Sequence, residues 1–228
     1  MTKDDFSAAL SEMLQMQNEL NNATNGDHWR SGKTQLGKTI DWRRCIVMET
    51  AELIDSYPWK HWKSVDAVTD IENVRIELVD IWHFLLSLAL ENFDSAQAQA
   101  CILQALQSDQ PTDVPEDVIE QVRVHEQMMA VALDSSAVSE AYLETLSVCF
   151  FRSCHTAGLD FAHLYQIYMA KNVLNQFRQD HGYKEGTYRK QWDGREDNVV
   201  MFEIIEEMSS FSGETLYQSL KIAYSRLD

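Results

Sequence analysis

Trp42-Arg43-Arg44-Cys45-Ile46-Val47-Met48-Glu49-Thr50-Ala51-Glu52-Leu53-Ile54-Asp55-Ser56-Tyr57-Pro58 and Ile76-Glu77-Leu78-Val79-Asp80-Ile81-Trp82-His83-Phe84-Leu85 each carry two acids three residues apart inside an apolar run. Residues at that spacing share a helical face, so each segment, read as helix, points two carboxylates into one place. Such pairs are common on solvated faces. These flanks differ: Ile46, Val47, Met48, Leu53 and Ile54 surround Glu49 and Glu52, while Ile76, Leu78, Val79, Ile81, Phe84 and Leu85 surround Glu77 and Asp80. Carboxylates in apolar surroundings need a partner. No lysine or arginine lies one turn from Glu49 or Glu52, and Arg75 is placed to reach Glu72 or Val79 rather than the face of Glu77 and Asp80. Brought together, the four acids repel and raise one another's pKa unless a cation joins them. Oxygen-only ligands suit a hard divalent ion, Mg²⁺ first and Mn²⁺ second. Carboxylate-held Mg²⁺ usually faces substrate phosphates, so the expected chemistry is metal-assisted work on a phosphate.

Working outward, the pattern is that of an all-α chain. Residues 4–23 read as an amphipathic helix with Phe6, Leu10, Met13, Leu14 and Leu20 on one side, stopped at Asn25-Gly26-Asp27. A polar loop runs to about Gly37. The first acid pair lies on a helix over about 40–57, ended by Pro58. The second lies on a helix from near Thr69, with a Thr69–Glu72 capping box, through Glu91. Residues 95–157 read as three helical stretches broken around Pro111–Pro115 and Asp134–Ser136, without identifiable chemistry. A long helix over about 159–180 stops at His181-Gly182, and two more helices flank Ser212-Gly213. The expected fold is a helical bundle with a four-helix metal-binding core and a mobile C-terminal helical part. It forms one domain over 1–228, with core motifs at 10–90 and 160–205 and a variable helical insertion at about 95–157.

The 228 residues, 45% hydrophobic, suffice for a buried core, and the 3 prolines fall between periodic segments. A net charge of −17 argues against nucleic-acid or anionic-membrane partners. The charge is uneven: Lys171 to Arg195 holds six cations against three acids, a candidate anion site sized for a small phosphorylated ligand. Lys171, Asn175 and Arg178 recur on one helical face. With few local acids to hold Lys171, Arg178 and Lys184, ligand phosphate is their expected partner. The 4 cysteines show no metal spacing, and Phe150 and Phe151 beside Cys149 and Cys154 suggest ordinary buried thiols. With no apolar leader at Met1 and no run long enough to span a bilayer, a cytoplasmic protein is expected.

Three extended segments resemble the dimeric all-α dUTPases. Trp42 to Lys60 is similar to that family's first metal motif and Glu72 to Phe84 to its second. The third is Lys171-Asn172-Val173-Leu174-Asn175-Gln176-Phe177-Arg178-Gln179-Asp180-His181-Gly182-Tyr183-Lys184, followed by Trp192 and Glu196-Asp197-Asn198. The resemblance implies a homodimer that hydrolyses dUTP to dUMP and pyrophosphate, limiting uracil incorporation into DNA and supplying dUMP, with dUDP a second candidate substrate. It implies Glu49, Glu52, Glu77 and Asp80 as ligands of two or three Mg²⁺ ions, with Mn²⁺ a substitute, and Glu49 as acceptor of the water proton. By residue type alone Glu52 serves that role equally. Lys171, Asn175, Arg178, Tyr183, Lys184, Lys190 and Asn198 are the expected phosphate contacts. The glycines of His181-Gly182-Tyr183 and Lys184-Glu185-Gly186 would let that loop close as a lid.

For base and sugar the candidates are Gln17 and Asn21, whose amides match a uracil edge, together with His61 and Phe84. Three of these have a purely structural alternative, exposed helix for the two amides and core for Phe84. The nearest competing function is a MazG-type or dCTP-directed pyrophosphohydrolase with the same metal site. Further away stand a di-iron carboxylate bundle, for which Asp80-x-x-His83 offers one acid–histidine pair, and a non-catalytic regulatory dimer.

Overall fold

The computed structural model describes residues 3–62, 64, 66–108, 113–208 and 212–227; Pro111 lies outside them. Among the described residues there are nine α-helices: α1 Lys3–Asn25, α2 Trp42–Asp55, α3 Ile71–Asn92, α4 Ser95–Gln107, α5 Val118–Leu133, α6 Glu140–Thr156, α7 Phe161–Asp180, α8 Asp197–Glu207 and α9 Gly213–Tyr224. A 3₁₀ turn at Trp29–Ser31 and a two-stranded antiparallel ladder, β1 Gln191–Trp192 and β2 Arg195–Glu196, complete the elements. The chain divides into two compact units, Met1–Tyr165 and Gln166–Asp228. The expected all-α class holds. None of the described helices is long and apolar enough to cross a membrane.

Local chemistry sets the helix starts. Asp41, Asp70, Asp94, Asp117 and Ser139 each accept a hydrogen bond from a backbone N–H of the first turn of α2 to α6. The start of α3 therefore differs from the expected Thr69–Glu72 capping box: Asp70 is the cap, accepting from the Asn73 N–H at 3.1 Å. A carboxylate one residue later in the chain competes better for the exposed N–H groups than the threonine hydroxyl does. The ladder at 191–196 was not expected; Asp193, with φ 50°, and Gly194, with φ 81°, supply its two left-handed turn residues.

In the first unit α2, α3, α6 and α5 form a closed ring of neighbours, each packed on the next, with α1 and α4 adding a second layer against α3 and α6. Ile46 and Leu53 of α2, Val74, Leu78, Ile81 and Leu85 of α3 and Leu146 and Phe150 of α6 are fully buried. The Trp82 ring stacks on Phe150 at 4.9 Å, and its N–H donates to the Met13 sulfur at 3.3 Å. The helices of the insertion thus complete the bundle behind the two acid-bearing helices. Arg43 of α2 ties this wall down: its guanidinium donates to the carbonyls of Asp134 and Ser136 and lies over the Tyr142 ring at 4.6 Å.

His125 of α5 is fully buried, with Nε2 3.0 Å from the Tyr57 hydroxyl. Burial holds its pKa down, from 6.5 to about 4, and pushes the Tyr57 hydroxyl up to about 12. The unfolded chain therefore takes up a proton that the folded chain refuses. Stability is complete above the ordinary value of 6.5 and falls as pH drops toward about 4. We expect this group to cost about 3 kcal/mol at the bottom of that window. Urea unfolding of wild type and His125→Phe checks it: the stability gap between them should narrow toward acid pH, and a constant gap would contradict it.

In the second unit Leu174 and Phe177 of α7, Trp192, Met201 of α8 and Leu216 and Leu220 of α9 make a separate core. Gly182, with φ 86°, opens the turn after α7, where an added Cβ would lie 2.0 Å from the Thr187 hydroxyl oxygen. Only glycine fits there.

Candidate metal centre

The two acid-bearing helices are the most closely packed neighbours of the first unit. Carboxylate oxygens of Glu49, Glu52 and Glu77 all lie within 4.8 Å of one another. Glu77 is buried, Glu49 half-buried and Glu52 exposed, so the group sits at the edge of the bundle, open to solvent on the α2 side. Three carboxylates at that separation are unfavourable without a cation, and an all-oxygen set of this kind fits a hard divalent ion. Asp80, half-buried and one turn along α3 from Glu77, lies outside that converging group. Arg75 turns away as expected, donating to Glu72 at 2.9 Å and to the Ala157 carbonyl at 3.2 Å. Negative charge from Glu49 adds to burial in raising the pKa of Cys45, one turn before it on α2.

A di-iron site would need a histidine alongside its carboxylates. The converging group holds none, and His83 is turned to α1, with Nδ1 2.7 Å from the Gln17 side-chain oxygen.

Gln17 and Asn21 are buried between α1 and α3 rather than exposed, each with 3% of its surface accessible. Their amide nitrogens donate to the Ser87 hydroxyl, both at 3.0 Å, and Ser87 in turn reaches the His83 carbonyl at 2.8 Å. Ser87 and His83 recur one turn apart on α3, a spacing visible in the sequence but hidden by the apolar run around them. Phe84 is half-buried and stacks on Trp42 at 6.1 Å. His61 is exposed and meets the edge of Trp62 at 4.8 Å.

The expected phosphate contacts all fall in the second unit, and one expectation is corrected there. Local charge predicts Arg178 to have few acids to hold it. Its guanidinium instead makes a two-pronged ion pair with Asp197, Nε to Oδ2 and NH2 to Oδ1, both 2.8 Å, and also donates to Asn175 at 3.0 Å. Asp197 is fully buried and accepts a further bond from the Tyr188 hydroxyl at 2.8 Å. The acid lies two residues past the charge cluster that ends at Arg195, and the β1–β2 turn folds it back. Lys171 is buried, with Nζ 3.3 Å from the Asn198 side-chain oxygen, which also accepts from Arg178 at 3.3 Å. Lys190 lies 3.6 Å from Glu196, while Tyr183 and Lys184 are exposed.

Comparison with known families matches residues 9–183 to the dUTPase family model, which is most of the chain. The chain belongs to that family. A comparison with curated proteins finds no match.

Proposed function

We propose that this dUTPase-family chain hydrolyses dUTP to dUMP and pyrophosphate in a Mg²⁺-dependent reaction, so limiting uracil incorporation into DNA. One observation carries the reading: Glu49, Glu52 and Glu77, drawn from two separate motifs, converge within 4.8 Å at a solvent-open edge. The triphosphate brings about four further negative charges, which cannot approach three carboxylates unless cations intervene. Bound Mg²⁺ would polarise the phosphoryl oxygens and acidify its water. Glu49, Glu52 and Glu77 would hold the metal, with Asp80 joining them from the next turn of α3, and Glu49 would also accept the proton of the attacking water. Lys171, Asn175, Arg178, Tyr183, Lys184, Lys190 and Asn198 contact the phosphates. In this reading Gln17 and Asn21, with amides oriented by Ser87, read the base, and His61 and Phe84 flank it.

Pyrophosphate release from a panel of deoxynucleoside triphosphates with Mg²⁺ tests the assignment. dUTP should be turned over at least tenfold faster than dCTP or dTTP at equal low concentration. Equal rates would favour a less selective pyrophosphohydrolase, and no release would end the proposal. The family resemblance further leads us to propose a homodimer, which sedimentation at micromolar concentration should detect; a strictly monomeric species would refute it.

A further inference from the structure

Asn73 stands one turn before Glu77 on α3, and its side-chain amide does two things at once. Nδ2 donates to Glu77 Oε1 at 3.2 Å and to the Ser56 hydroxyl at 2.8 Å. Ser56 caps the C-terminus of α2, and its hydroxyl reaches back to the Glu52 carbonyl at 3.4 Å. A short polar chain thus runs from the backbone of one acid on α2, through Ser56 and Asn73, to the carboxylate of another acid on α3. Asn73 also has its own backbone N–H held by Asp70 at 3.1 Å, so the residue is fixed at both ends.

We propose that Asn73 is a positioning residue for the metal centre, and that Ser56 anchors it. The proposal rests on the metal reading of Glu49, Glu52 and Glu77. An amide has two N–H donors, and here one sets the rotation of the Glu77 carboxylate while the other pins that amide to the opposite helix. The bridge therefore fixes the distance between the acid pair of α2 and that of α3 before any ion arrives. Hydrogen bonds to a ligating carboxylate from outside the coordination shell commonly change metal affinity by about 10–100-fold when removed. Alanine favours helix, so Asn73→Ala removes the amide without disturbing the helical backbone of α3.

The test is Mn²⁺ binding, read by the loss of the free-ion paramagnetic resonance signal, on wild type, Glu77→Gln, Asn73→Ala, Ser56→Ala, Ser56→Thr and the Asn73→Ala/Ser56→Ala double variant. Asn73→Ala should weaken Mn²⁺ about 10-fold or more, with its metal-free melting temperature close to wild type. Ser56→Ala should weaken it less, Ser56→Thr should bind as wild type does, and the double variant should be no worse than Asn73→Ala, because both lie on one chain of bonds. In steady-state assays Asn73→Ala should raise the Mg²⁺ concentration needed for half-maximal rate while saturating Mg²⁺ restores most of kcat. Mn²⁺ affinity within twofold of wild type in Asn73→Ala overturns the positioning role alone. Wild type that binds no Mn²⁺, or binds it as Glu77→Gln does, overturns the metal reading on which it rests. If Asn73→Ala does not fold, Ser56→Ala against Ser56→Thr decides: equal affinities overturn the bridge.

Discussion

Replacing Glu77 by glutamine is expected to cut pyrophosphate release from dUTP by on the order of 10³-fold, about 4 kcal/mol of transition-state stabilisation. The glutamine keeps the shape of the side chain and an oxygen to accept from Asn73, so the loss would report the charge. Glu77 is the one buried member of the converging group, and its carboxylate is within 4.8 Å of both others. Burial makes it the acid whose charge is least screened by water and whose attraction for a cation is strongest. The metal-free variant should unfold no earlier than wild type, because removing one of three mutually repelling charges relieves the fold. Excess chelator should abolish wild-type activity and added Mg²⁺ restore it. Full activity in chelator, or in Glu77→Gln, would refute the metal centre.

Arg178→Ala is expected to destabilise the second unit by about 3–5 kcal/mol, because it leaves a buried carboxylate without its cation. Asp197 is fully buried and the Arg178 side chain only 13% exposed, so little solvent screening softens the loss. Adding Asp197→Asn to Arg178→Ala should recover part of the stability by removing the orphaned charge, although the Tyr188 hydroxyl keeps an acceptor. Hydrogen exchange over 181–207 in wild type and the two variants measures this. Unchanged protection in Arg178→Ala would return that arginine to the role of a cation held chiefly by ligand. Local charge alone, which leaves ligand phosphate as the expected partner of Arg178, would place no such cost on the fold.

The two results differ in how far each was legible beforehand. Helices were readable because period, proline and glycine act within a few residues, and the acid pairs were readable because three-residue spacing is local geometry. Asn73 could have been suspected, since it sits one turn before Glu77, but its second partner Ser56 belongs to another helix. Asp197 escaped because a charge count along the chain ends where the chain turns. The inward face of Gln17 and Asn21 escaped because amides on an amphipathic helix usually point to water, and their partners His83 and Ser87 lie more than sixty residues away on α3.

By itself, then, the amino-acid sequence determined the helical class, the approximate bounds of the long helices and the presence of two carboxylate pairs in apolar surroundings. These follow from contacts no more than a turn or two apart. Tertiary structure alone decided that Glu49, Glu52 and Glu77 converge while Asp80 stands outside their group. It also decided that α5 and α6 wall the bundle, and that Arg178 is matched to a buried acid. The physical reason is the same in each case: charge pairing and desolvation depend on distance through space, and a chain of −17 net charge leaves many candidate partners for each cation until packing chooses one.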